Sequence, residues 1–120
     1  MLDGKTILIT GGTGSFGHKC TEYIIKNYLP KKLIIFSRDE MKQWEMQKKF
    51  TKKDYPNLRY FVGDVRDQSR LYRAFDGVDY VIHAAALKIV PVAEYNPFEV
   101  IRTNIIGSEN VIEAAIDKGV

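Results

Sequence analysis

The sequence has one cysteine, four prolines and one tryptophan, and a net charge of only +3. A lone Cys20 cannot close a disulfide within the chain, which excludes a disulfide scaffold and fits a reducing, cytoplasmic setting. The weak positive charge suits an anionic ligand but gives no argument for nucleic acid, and none is expected. No apolar run is long enough for a membrane span: the stretch Val78 to Leu87 has Asp79 inside it and is too short. No membrane partner and no metal site are expected. Strand-like sequence begins at Thr6, so no signal peptide is expected before it. Repeats, low-complexity tracts and linkers are missing too. What remains is a 120-residue chain, 45% hydrophobic and 28% charged, the composition of a globular protein. A chain of that length reads as one domain and can bury roughly two thirds of its surface.

Short apolar runs alternate with amphipathic stretches. Thr6 to Thr10, Leu33 to Ser37, Arg59 to Val62 and Asp79 to Ala84 read as strands. Helices are expected from Ser15 to about Tyr28, from Asp39 to about Phe50, and from Ser69 to Phe75. Met41 and Trp44, with the Lys48 stem, are expected on one face of the second. The last helix has a capping Asn96, Pro97 at its first position and Glu99 in the capping-box place. Its expected stripe is Ile101, Ile105, Ser108, Ile112 and Ala115, and Gly119 is its expected end. The order β-α-β-α-β-α-β-α predicts an α/β fold. It is a Rossmann-like, doubly wound parallel sheet of four strands in the order 3-2-1-4, ending before a fifth strand.

Thr10 to Gly17 reads TGGTGSFG, after a predicted strand and opening a predicted helix. Gly11 permits a tight turn, Gly14 lets backbone amides approach a pyrophosphate, and Gly17 allows close helix packing. The helix N-terminus adds amide donors and partial positive charge. At the end of the second strand, where an acid would hold the ribose of NAD, the chain has Ser37 and Arg38. Arg38 offers a fork for a 2′-phosphate, Ser37 offers a hydroxyl, and Lys42 falls on the same side if Asp39 starts the helix. These residues favour NADP, while Asp39 keeps NAD open as a ribose partner. Asp64 has two readings, an acceptor for the adenine amino group with Val65 beside the ring, or a shaper of the turn. Ala84, Ala85 and Ala86 are small residues at a strand end where a flat cofactor can lie close. His83 reads as a packed strand histidine rather than a catalytic one, and His18 as a surface residue. Lys88 reads equally as a solvated lysine or a phosphate partner.

The spacing GxxGxxG resembles that of the extended short-chain dehydrogenase/reductases. The segments SRDEMKQ (Ser37 to Gln43), VGDVRD (Val62 to Asp67), HAAALK (His83 to Lys88), VPVAEYNPFE (Val90 to Glu99) and TNIIG (Thr103 to Gly107) follow in order. Together they resemble the inverting UDP-N-acetylglucosamine 4,6-dehydratases of surface-glycan biosynthesis, along essentially the whole chain. The resemblance implies hydride removal from C4 of a UDP-sugar, loss of water between C5 and C6, and hydride return to C6 with inversion at C5. It implies cofactor contacts from Thr13, Gly14, Ser15 and Phe16, from Ser37 through Lys42, and from Asp64, Ala86, Lys88 and Thr103. Lys88 is the substrate candidate. It tips Asp64 toward adenine, and it implies a homo-oligomeric full-length enzyme.

The family's catalytic Asp-Lys and Tyr-x-x-x-Lys pairs lie on or after a fifth strand. No such pair is expected among the seven tyrosines here, so no catalytic residue is assigned. Residues 1–120 are expected to be the N-terminal part of an NADP-binding domain, without catalytic segment or substrate domain, and inactive alone. Another nucleotide-sugar epimerase or dehydratase, or a dinucleotide-binding sensor, remains an alternative.

Overall fold

The computed structural model describes residues 2–84 and 107–119. Strand β1 (Thr6–Thr10) is buried at all five positions. Strands β2 (Lys32–Ser37), β3 (Leu58–Val62) and β4 (Tyr80–His83) lie with it in one parallel sheet, ordered β3-β2-β1-β4. Helices α1 (Ser15–Asn27), α2 (Glu40–Lys49) and α3 (Gln68–Ala74) fill the crossovers, and α4 (Gly107–Lys118) follows. This is the order and topology that the alternating apolar pattern predicts.

Alternation along β1 divides the core into two layers. Ile7 and Ile9 pack with Ile24 of α1 and Met46 of α2. Leu8 packs on the other side with Leu71 of α3 and with Val111 and Ala114 of α4. The sheet is thus covered on both faces, and it reverses its winding between β1 and β4. Ligands bind at such a reversal, beyond the carboxyl ends of the strands.

Helix boundaries follow their caps. Asp39 accepts from the Lys42 amide at 3.0 Å and starts α2. Asp67 accepts from the Arg70 amide at 3.2 Å and starts α3. Gly119, at φ +72°, ends α4 as expected.

The shared face expected for Met41, Trp44 and Lys48 is the solvent face of α2, and the inward face of α4 differs from expectation. On α2 the inward residues are Gln43 and Met46, with Phe50 just beyond its end, while Met41 and Trp44 are exposed. The Lys48 ammonium sits 3.6 Å from the centre of the Trp44 ring, so that stripe satisfies itself in solvent. On α4, Val111 and Ala114 face inward and Ile112 is 60% exposed. The expected start of that helix, Asn96 to Glu99, and its stripe residues Ile101 and Ile105 lie outside the described residues.

Candidate functional site

Because the strands are parallel, Thr10, Ser37, Val62 and His83 end at one edge of the sheet. The loop after β1 turns at Gly11, whose φ of +66° is a left-handed value suited to glycine. Two amides fold the loop: Gly14 N–H donates to the Gly11 carbonyl at 3.1 Å, and Gly12 N–H to the Phe36 carbonyl at 3.3 Å. Gly17 sits against this loop, and a Cβ there would lie 2.3 Å from the Gly12 carbonyl oxygen. Gly17 thus packs α1 onto its own loop. A Cβ on Gly14 would meet only the Gly11 carbonyl, at 3.4 Å, so nothing else in the described chain crowds that position. Gly14 precedes α1 without a side-chain cap. Amides at the start of α1 therefore lack that competitor, and an anion can use them. Thr13 is half-buried, Ser15 is exposed, and Phe16 is exposed beside them.

A second group forms where β2 and β3 end. The Gly63 amide donates to the Ser37 carbonyl at 2.9 Å. Gln43, only 3% exposed, donates from Nε2 toward the Ser37 carbonyl (3.2 Å), the Ser37 hydroxyl (3.0 Å) and the Phe61 carbonyl (3.1 Å). It ties the two strand ends together and leaves the buried Ser37 hydroxyl its own proton to donate. Arg38 is exposed, with Nη1 3.9 Å from Asp64 Oδ2. Asp39 is engaged in its cap, and Lys42 is exposed in the first turn of α2.

Asp64 is held by its neighbour two residues on. It accepts from the Arg66 amide at 2.9 Å, from Nε at 3.1 and 3.0 Å, and from Nη2 at 2.6 Å. Burial works against the Asp64 charge, but the Arg66 hydrogen bonds and the Arg66 and Arg38 charges outweigh it and lower the carboxyl pKa. The turn-shaping role is therefore present in the structure. Val65 is buried in the core layer beneath α3 and α4. Asn110 of α4 donates to the Val65 and Arg66 carbonyls, both at 3.1 Å, and fixes this turn from behind.

At the reversal, Thr10 is fully buried. Its hydroxyl accepts from the Ala84 amide at 3.0 Å and lies 2.6 Å from His83 Nδ1. The hydroxyl and Nδ1 share one hydrogen bond, whose direction follows the tautomer of the neutral imidazole. Burial lowers the His83 pKa in agreement. His18 lies on α1, its ring 6.3 Å from that of Phe50. Ala85, Ala86, Lys88 and Thr103 lie outside the described residues.

One expectation needs correction: the chain does contain a Tyr-x-x-x-Lys spacing, Tyr28 to Lys32. Tyr28 caps the end of α1 and Lys32 begins β2, at the amino edge of the sheet, away from the glycine loop. Sequence reasoning also missed Gln43, Arg66 and Asn110. Glutamine and asparagine on a helix read as solvated residues, and nothing in their spacing marks the carbonyls they meet.

The pattern of the polysaccharide biosynthesis protein family matches residues 7–120. A UDP-N-acetylglucosamine 4,6-dehydratase (inverting) of Campylobacter jejuni is 58% identical over 120 residues, which is 100% of this chain and 35% of that protein. A UDP-glucose 4-epimerase of Rickettsia felis is 46% identical over 123 residues, 100% of this chain and 35% of that protein. The chain thus spans about a third of the length of these curated relatives. Among solved structures, Pen from Bacillus thuringiensis superposes with a TM-score of 0.94 at 42% identity, covering 100% of this chain and 36% of that one. The dTDP-glucose 4,6-dehydratase of Streptomyces venezuelae, solved with NAD bound, superposes with a TM-score of 0.79 at 27% identity, covering 96% and 37%. Shared sequence and shared sheet place the chain in one group: it belongs to the polysaccharide biosynthesis protein family, as an extended short-chain dehydrogenase/reductase.

Proposed function

We propose that the chain is the NADP-binding part of an inverting UDP-N-acetylglucosamine 4,6-dehydratase. The observation that carries this reading is the 58% identity to such an enzyme along the whole chain. The residues present fit a dinucleotide: a glycine loop uncrowded at Gly14, a helix start behind it, and a guanidinium at the end of β2. A bound NADP would supply the acceptor and donor for hydride. Gly11, Gly14 and Gly17 shape the loop for the pyrophosphate, with Thr13, Ser15 and Phe16 around it. Arg38, Ser37 and Lys42 face the 2′-phosphate, and Asp39 holds the helix that carries Lys42. Asp64 and Val65 form the adenine end, and Ala84 and Ala86 the floor near the nicotinamide. Motif position assigns Lys88 to cofactor and substrate and Thr103 to cofactor. The hydride and proton chemistry is assigned to residues outside this chain.

A second reading, a nucleotide-sugar 4-epimerase, is favoured by the 46% identity to a UDP-glucose 4-epimerase. Incubating the full-length protein with UDP-N-acetylglucosamine separates the two. A 4-keto-6-deoxy product supports the dehydratase, and a C4 epimer without loss of water supports the epimerase. The 120-residue chain alone is expected to give no turnover, and dehydration by it would overturn the placement of the catalytic groups.

A further inference from the structure

Asp64 offers about four lone-pair directions, the capacity of a carboxylate. Arg66 directs three N–H groups at them, its own amide to Oδ1 (2.9 Å), Nε shared between the oxygens (3.1 and 3.0 Å), and Nη2 to Oδ2 (2.6 Å). Arg38 Nη1 stands 3.9 Å from the same Oδ2. A carboxylate so occupied has little acceptor capacity left for an adenine amino group. Arg66 is itself held in place: Asn110 donates to its carbonyl at 3.1 Å.

The geometry points to Arg66 as a latch on the adenine end of the site, a positioning residue whose guanidinium fills the hydrogen-bonding place of the adenine amino group on Asp64. This rests on the dinucleotide reading above. A purine entering the site exchanges one N–H donor for another at Asp64, so the amino group adds little affinity. A purine with a carbonyl at that position meets the Arg66 donors and is accepted as well. Selectivity then falls to the glycine loop and to Arg38, and the base is tolerated rather than read.

The test compares NADP with its hypoxanthine analogue, in which a carbonyl oxygen replaces the adenine amino group and N1 carries a proton, a second change common to every variant compared. Dissociation constants for both are measured by calorimetry on the full-length protein, as wild type, Arg66→Leu and Arg66→Lys. Wild type is expected to bind the two within about threefold, since a donor exchange is nearly neutral. Arg66→Leu frees the carboxylate to accept the amino group and repel the carbonyl. It should prefer NADP by about tenfold or more, the value of one hydrogen bond to a charged group. Arg66→Lys keeps the charge but loses the fork, and its preference should lie between the two. If circular dichroism shows that Arg66→Leu fails to fold, the Arg66→Lys ratio decides, and a ratio equal to wild type overturns the latch. A wild type that already prefers NADP tenfold, or an Arg66→Leu ratio unchanged from wild type, also overturns it. Wild type binding neither dinucleotide sinks the cofactor reading itself, and the latch with it.

Discussion

Arg38 and Asp39 stand side by side and do different work. Arg38 is exposed beside the Asp64 carboxylate, while the Asp39 carboxylate accepts from the Lys42 amide at the start of α2. Using Asp39 to hold a ribose would cost the helix part of its cap, whereas the exposed Arg38 guanidinium caps no helix and offers its fork to a phosphate. Arg38→Ala is therefore expected to weaken NADP by about tenfold or more, as for a lost charge-assisted hydrogen bond, and to change NAD little. Parallel titrations of the two cofactors check this, and equal losses would sink the 2′-phosphate assignment. Gln43 shows where a residue defeats its type. Its amide is buried because two strand ends present the Ser37 and Phe61 carbonyls to it, and an unpaired buried carbonyl is costly.

Helix ends were legible in the sequence and helix faces were only partly so. Asp39 and Gly119 each act through the adjacent backbone, so local sequence suffices to place them, while the cap from Asp67 starts α3 one residue before the expected Ser69. Which stripe of α2 turns inward depends on the ends of β2 and β3, whose Ser37 and Phe61 carbonyls only the folded sheet brings together, and two stripes at helical spacing compete. Trp44 loses because a lysine one turn on covers it, and Gln43 wins because it satisfies a strand end. The glycine loop was legible because its geometry is local, and the Arg66 grip on Asp64 was not, because an arginine in a turn reads as solvated. The cap also makes a measurable element: Asp39→Ala should destabilise the protein by about 1 kcal/mol, and Asp39→Asn by much less. Urea midpoints of the two variants provide the comparison, and equal midpoints would remove the cap from the account of α2.

For the molecule as a whole, acid acts in two stages. Burial lowers the pKa of His18, with help from the Lys49 charge, and burial alone lowers that of His83, both from an ordinary 6.5. Between those lowered values and 6.5 the unfolded chain holds more protons than the folded one. Their contribution is complete above 6.5 and drains away as pH falls through that window. The Asp64 carboxyl is lowered from 3.8, so its contribution persists through that first stage and is lost only in stronger acid. Urea midpoints should fall from pH 7.5 to about pH 5.5 and again near pH 3, with His83→Gln reducing the first step. An unchanged midpoint across the first step would contradict the neutral His83 bonded to Thr10. That bond has a further consequence. It joins residues 73 apart in sequence, and it ties the end of β4 to the residue before Gly11. During synthesis the glycine loop is made long before that partner exists. On the proposed dinucleotide reading, a ligand seated across both strand ends would also hold the late fourth strand in place by mass action.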